Sequence, residues 1–180
     1  MTDRPTSADS GRMRAAVLHG DGAVQIGEVP VPQPGPGEVR LRVEGCGVCG
    51  SDLPVWEGRS WFQYPRQPGA PGHETWGRVD ALGAGVTGWE RGDRVAALSY
   101  QGYAEFDVAP GDRLVRLAPE LGPGPFPGEA LGCAVNVFRR SAIAAGDTVA
   151  VVGVGFLGAL LVQLAARAGA RVIAVARRPA

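Results

Sequence analysis

Sulfur and imidazole are scarce in this chain, with three cysteines and two histidines among 180 residues. An odd thiol count with no second C-x-x-C pair argues against a disulfide framework and against a four-thiolate metal site. It leaves ligand, nucleophile or core packing as the roles open to Cys46, Cys49 and Cys133. Net charge is missing as well. Eighteen Lys and Arg balance eighteen Asp and Glu, and their dispersal provides no basic stripe for nucleic acid or for an anionic membrane. No uncharged apolar run reaches spanning length, and MTDRPTSADSGR lacks the apolar segment of a signal peptide. These absences point to a soluble, cytoplasmic protein that works on a small molecule, with no nucleic-acid or membrane partner. Residues 1–12 are expected to be a disordered tail.

Glycine and proline, by contrast, are abundant, at 28 and 15 residues, and the chain is 45% hydrophobic. That is enough apolar material for one domain plus part of another. MRAAVLHG and AVQIGEV resemble two short strands joined at Asp21-Gly22. After the proline-rich VPVPQPGPGE, the run VRLRVEG places Val39, Leu41 and Val43 on one face and Arg40, Arg42 and Glu44 on a wet one. Further short strands fit WGRVDALG, DRVAAL, YAEFDVA and DRLVRLA, making residues 13–128 an irregular β domain. Beyond the LGPGPFPG connector the period becomes helical. EALGCAVNVFRRSAIAAG predicts a helix ending before Gly146, with Arg139 and Arg140 exposed. DTVAVVGVG, FLGALLVQLAARAGA and RVIAVA then predict strand, helix and strand, with Leu157, Leu160, Leu161, Leu164 and Ala168 on one helical face. The fold class is therefore α+β passing into α/β: an irregular β domain, then at 129–180 a linking helix and the first β-α-β unit of a doubly wound sheet. A complete domain of that kind needs about four more strands, so the chain is expected to be truncated or completed by a partner chain.

Two constellations carry chemistry. Gly153, Gly155, Phe156, Leu157 and Gly158 form G-x-G-x-x-G between an apolar strand and a helix. That context suits a pyrophosphate at a helix N-terminus, the alternative being a purely structural glycine turn. Where an NAD site would place a carboxylate after the second strand, this chain has Arg177 and Arg178, which favours NADP over NAD unless both arginines are simply solvated. In the β domain Cys49 precedes His73 by 24 residues. Thiolate and imidazole together suit Zn²⁺, the alternative being a buried thiol and a core histidine.

The motifs C-G-S-D (Cys49–Asp52), G-H-E (Gly72–Glu74), G-D-R-V (Gly92–Val95) and G-Y-A-E (Gly102–Glu105), followed by G-x-G-x-x-G, occur in that order. Together they resemble the zinc-dependent alcohol dehydrogenases of the medium-chain dehydrogenase/reductase superfamily. The resemblance implies a GroES-like catalytic domain followed by a Rossmann domain. It implies a catalytic zinc on Cys49 and His73, with Glu74 as an occasional ligand, Asp52 as the carboxylate that accepts a hydrogen bond from the zinc-bound histidine, and Ser51 as the hydroxyl that relays the substrate proton. Ser51 can also be read as a turn residue. For the third ligand, the family position counted back from Gly153 falls on Glu129, within a segment resembling the E-P-L-x-x-x-x-H stretch of the sorbitol and threonine dehydrogenase branch. Cys133, one helical turn on, is the alternative. Cys46 is expected to be a small packed residue. No cysteines follow the G-D-R-V strand, so a second, structural zinc is not expected. The aromatics Trp56, Trp61, Phe62 and Tyr64 either line a substrate pocket or anchor their loop.

The implied activity is hydride transfer between an alcohol or polyol and NAD(P), with the alcohol or carbonyl compound as partner and a homo-oligomer or complementing chain as the assembly. The rival reading is a non-enzymatic, zinc-binding GroES-like remnant. A zinc-free quinone reductase type is disfavoured by the Cys49 and His73 pair.

Overall fold

The computed structural model describes residues 11–177, so most of the expected tail, together with Arg178, lies outside the described residues. The chain divides into two compact units, residues 1–128 and 129–180.

In the first unit, β1 (Arg12–Leu18) and β2 (Val24–Pro30) pair as an antiparallel hairpin. Its turn is closed where the Asp21 side chain accepts the Ala23 N–H at 2.9 Å, an Asx-type turn in a sequence that needs one. A five-stranded antiparallel sheet follows, built from β3 (Glu38–Gly47), β4 (Glu74–Leu82), β5 (Arg94–Ala97), β6 (Phe106–Pro110) and β7 (Leu114–Arg116) in the order β6-β3-β4-β5-β7. Its core face is apolar and dry: Val39, Leu41, Val79, Val95, Ala97, Ala109 and Leu114 form one buried cluster. A single-turn helix, α1 (Leu53–Trp56), lies in the segment between β3 and β4.

The β3/β4 register is interrupted twice, and the interruptions decide what the site contains. Leu41 pairs with Val79 and Val43 with Gly77, but the next pairs are Gly45 with Trp76 and Cys46 with Thr75, so Glu44 is an extra residue. Because side chains alternate with a strict period of two, an extra residue reverses the parity of everything after it. Cys46 therefore joins Thr75 and Val79 on the core side, whereas Gly45 and Gly47 share the other side with Trp76 and Glu74. The bulged Glu44 is held by two arginines, Arg78 and Arg94, each at 2.9 Å.

The alternate face of β3 is drier than VRLRVEG suggests. Arg40 is paired with Asp80 at 2.7 Å with both side chains mostly buried. Both Arg40 and Arg42 lie over the Phe106 ring, at 5.7 and 5.8 Å from its centroid. Phe106 packs with Met13 and Val31 in a second cluster. The arginines lay their guanidiniums over that ring, so Arg40 is half-buried while Arg42 and Glu44 stay exposed, and the alternate face of β3 is wet only toward its C-terminal half.

The second unit begins with α2 (Gly128–Arg140), which exposes Arg139 and Arg140 but stops well short of Gly146. Ser141 N–H folds back onto the Val137 and Phe138 carbonyls, and Ala142 adopts φ 50°, a left-handed conformation that cannot continue the helix. The strands β8 (Thr148–Val152) and β9 (Arg171–Val175) pair in parallel through α3 (Phe156–Arg167). On α3 the fully buried residues are the small ones, Gly158 and Ala165. Of the predicted leucine stripe, Leu157 is exposed and Leu160, Leu161 and Leu164 are half-buried.

Candidate metal centre

Past Gly47 the chain leaves the sheet, and Cys49, in extended conformation, enters a 3-10 turn over Gly50–Asp52. Asp52 closes that turn from both ends. Its N–H donates to the Cys49 carbonyl at 3.0 Å, and its Oδ2 accepts the Cys49 N–H at 3.0 Å. Three residues of spacing thus fix the Cys49 backbone, and its thiol is left facing His73.

His73 and Glu74 come from the other side, at the entry to β4. The His73 Nδ1 lies 2.9 Å from the Pro71 carbonyl oxygen, so Nδ1 carries the proton and Nε2 keeps its lone pair. Asp52 Oδ1 stands farther off, at 3.5 Å. The Pro71 carbonyl is thus the nearer acceptor for His73, and Asp52 the more distant one. Burial opposes the imidazolium, yet the Pro71 carbonyl, Cys49 and Asp52 together raise the His73 pKa above its ordinary value. Glu74 is 9% exposed and faces Gly47, where any Cβ would collide with its carboxylate. Glycine at 47 is what leaves room for that side chain.

The Cys49 sulfur, a His73 ring nitrogen and a Glu74 carboxylate oxygen all lie within 4.8 Å of one another. Thiolate, imidazole and carboxylate are the donor types that Zn²⁺ takes in sites with an open position, and a neutral imidazole already hydrogen-bonded through its other nitrogen is the usual form of a ligating histidine. The residues present therefore fit a zinc ion. Cys46 is excluded by the bulge. On the core face, its sulfur receives the Thr75 hydroxyl at 3.7 Å, and burial pushes its thiol pKa up to about 11.

Ser51 is exposed at the turn beside Cys49. Two of the loop aromatics anchor the loop through hydrogen bonds. Trp56 Nε1 donates to the Gly22 carbonyl and Tyr64 to the Val55 carbonyl, each at 2.6 Å. Trp56 also lines an apolar cavity of about 460 Å³ with Leu18, Val24, Val48 and Leu53, bordered by Asp52 and Tyr103. Trp61 is 69% exposed and tilts against Phe62. Tyr103 was legible only as part of the G-Y-A-E motif. Its phenol donates to Asp52 Oδ2 at 2.5 Å, and burial, followed by the Asp52 carboxylate, raises its pKa far above the ordinary tyrosine value.

In the second unit Glu129 and Cys133 lie one turn apart on α2, the Cys133 thiol donating to Glu129 Oε1 at 3.0 Å. In the glycine loop Gly153 has φ 95°, and Gly155 is the extended N-cap of α3 with open space where a Cβ would be. A Cβ on Gly158 would strike the Gly153 carbonyl, so this helix can meet the loop only with glycine there. Arg177 is exposed just after β9.

The two thiols of the first unit should differ in reactivity. With Cys49 and Cys133 replaced by serine, Cys46 should alkylate with iodoacetamide at pH 7 about a hundredfold more slowly than a thiol of pKa 9.0, since its own lies near 11. Its rate should climb about tenfold per pH unit until that value is reached. A rate at pH 7 equal to that of a free thiol would contradict its placement on the core face.

Residues 35–119 match the alcohol dehydrogenase GroES-like domain. The chain is 35% identical over 195 residues to an alcohol dehydrogenase of Rhizobium meliloti (strain 1021), a match that covers 90% of this chain and 57% of that protein. It is 43% identical over 90 residues to sorbitol dehydrogenase of Gallus gallus, covering 49% of this chain and 25% of the relative. Among solved structures, a cobalt- and zinc-bound thermostable alcohol dehydrogenase from Pyrobaculum aerophilum superposes with a TM-score of 0.78 at 32% identity, over 93% of this chain and 60% of that one. The chain thus spans little more than half the length of the Rhizobium meliloti relative. Its strand order, its motifs and these matches agree, and the chain belongs to the alcohol dehydrogenase-like proteins of the medium-chain dehydrogenase/reductase superfamily, of which it carries the GroES-like domain and the first β-α-β unit of the Rossmann domain.

Proposed function

We propose that this chain is the metal-carrying part of a zinc-dependent dehydrogenase that interconverts an alcohol or polyol and its carbonyl compound, with NADP as hydride carrier. The observation that carries the reading is the mixed donor set of Cys49, His73 and Glu74, gathered within 4.8 Å on one side of a bulged strand. Zinc bound there would supply a Lewis acid for the substrate oxygen. Glu129, preferred to Cys133, is the proposed third protein ligand. With Cys49 it would bring two negative charges to a divalent ion.

The chain's own residues do the rest. The Pro71 carbonyl holds His73 in the tautomer that leaves Nε2 available, and Asp52 holds Cys49 through its backbone. Ser51, exposed in the turn beside Cys49, would hand the substrate's hydroxyl proton to solvent. The apolar walls of Leu18, Val24, Val48, Leu53 and Trp56 suit the carbon skeleton of the substrate. The glycine loop and the N-terminus of α3 would take the cofactor pyrophosphate, and Arg177 with Arg178 the 2′-phosphate of NADP.

Purified protein should contain about one zinc per chain by elemental analysis. Cys49→Ser and His73→Ala should each reduce this to a small fraction, while Cys46→Ala leaves it unchanged. A metal-free native chain, or loss of zinc on replacing Cys46, would remove the reading. On the cofactor side, NADP should raise Tm more than NAD does, and Arg177→Glu should abolish the difference. Zinc without any nicotinamide-dependent shift or turnover over an alcohol panel would instead support a zinc-binding domain without enzymatic activity.

A further inference from the structure

Tyr103 donates no ligand atom, yet it is bonded to both arms of the centre. Its backbone N–H donates to the Gly69 carbonyl at 3.0 Å and the neighbouring Gly102 N–H to the Gly72 carbonyl at 2.9 Å, both in the loop that delivers His73. Its own carbonyl accepts the Ala16 N–H from β1 at 2.8 Å. These bonds leave little freedom: a Cβ at Gly72 would lie 2.6 Å from the Tyr103 nitrogen and 2.9 Å from its ring. From that fixed backbone the phenol reaches the other arm. It lies 2.5 Å from Asp52 Oδ2 and 3.2 Å from the Gly47 carbonyl, and with one proton to give, its principal bond is the shorter.

Asp52 Oδ2 therefore accepts two hydrogen bonds, one from Tyr103 and one from the Cys49 N–H. The terminal torsion of a carboxylate is broad and settles only where its oxygens are held. Two donors on Oδ2 set the plane of the group, and the plane sets where Oδ1 points, which is toward His73 Nδ1 at 3.5 Å. We propose that Tyr103 is a positioning residue for the metal centre: by clamping Asp52 it holds the Cys49 turn and the His73 loop in ligating register, and so sets the affinity for zinc. The proposal rests on the zinc reading of the same site. Partners one shell out from a metal ligand change affinity by about 10- to 100-fold, and Tyr103 acts through one of them, so the effect should fall at the lower end.

The test is the zinc dissociation constant of the full chain, measured by chelator competition, for the native protein, Tyr103→Phe, Asp52→Asn and the double variant. Tyr103→Phe should weaken zinc about tenfold and, in the Asp52→Asn background, should weaken it less than twofold further. A lower Tm for the zinc-free protein with an unchanged zinc constant, or an undiminished effect in the Asp52→Asn background, would make Tyr103 merely structural and overturn the proposal. A native chain that binds no zinc fails differently, removing the metal reading and this inference with it. The native chain also offers a readout independent of how the variants fold: the Tyr103 hydroxyl proton should appear as a slowly exchanging resonance by NMR, and its absence would equally overturn the clamp.

Discussion

A carboxylate taken out of water is costly unless its lone pairs are filled, and Asp52, 5% exposed, is the carboxylate around which this domain's chemistry is assembled. Segments distant in sequence meet on it: the Cys49 turn gives a backbone N–H and the Tyr103 segment a phenol to Oδ2, and His73 Nδ1 faces Oδ1 at 3.5 Å. None of these segments lies within a long regular element that would fix it on its own. Keeping Asp52 solvated by protein ties these segments to one another, next to the cluster of Cys49, His73 and Glu74 proposed to hold the metal.

The second constraint is parity. Two cysteines only three residues apart would be chemically interchangeable on a loop, but the extra residue at Glu44 assigns them to different environments. Cys46 is turned into the core beside Thr75 with a thiol that resists ionisation. Cys49, beyond the end of the strand, is carried to the side where Gly47 makes room for Glu74. The bulged Glu44 is itself held by two arginines, Arg78 and Arg94, each at 2.9 Å.

Much of this was legible in the sequence. Alternation located the strands, and the motif order identified the catalytic domain and the opening β-α-β unit. The motifs named Cys49 and His73 as ligands, Glu74 as an occasional one and Glu129 as the third, and the structure brings the side chains of Cys49, His73 and Glu74 within 4.8 Å of one another. What the sequence hides are interactions that depend on register or on backbone oxygens. No pattern in VRLRVEG signals that Glu44 is unpaired, and no pattern in APGHE says that the Pro71 carbonyl, rather than Asp52, is the nearest acceptor for His73. Arg42 is solvated as the alternation suggests, but the burial of Arg40 is hidden because its partners, Asp80 and Phe106, are supplied by strands forty and more residues later. The helix after Gly128 looks longer than it is because alanines permit a helix that Ala142 does not continue.

The proposed site is a single metal centre with one sulfur ligand from Cys49, nitrogen from His73 and oxygen from carboxylate. X-ray absorption at the zinc edge of the purified protein reads this donor set, because sulfur and light-atom neighbours separate by distance. The expected shell is one sulfur at about 2.3 Å with nitrogen and oxygen near 2.0–2.2 Å. A shell with no sulfur would contradict the claim, and two sulfurs would replace Glu129 by Cys133 and contradict the donor set argued for this chain.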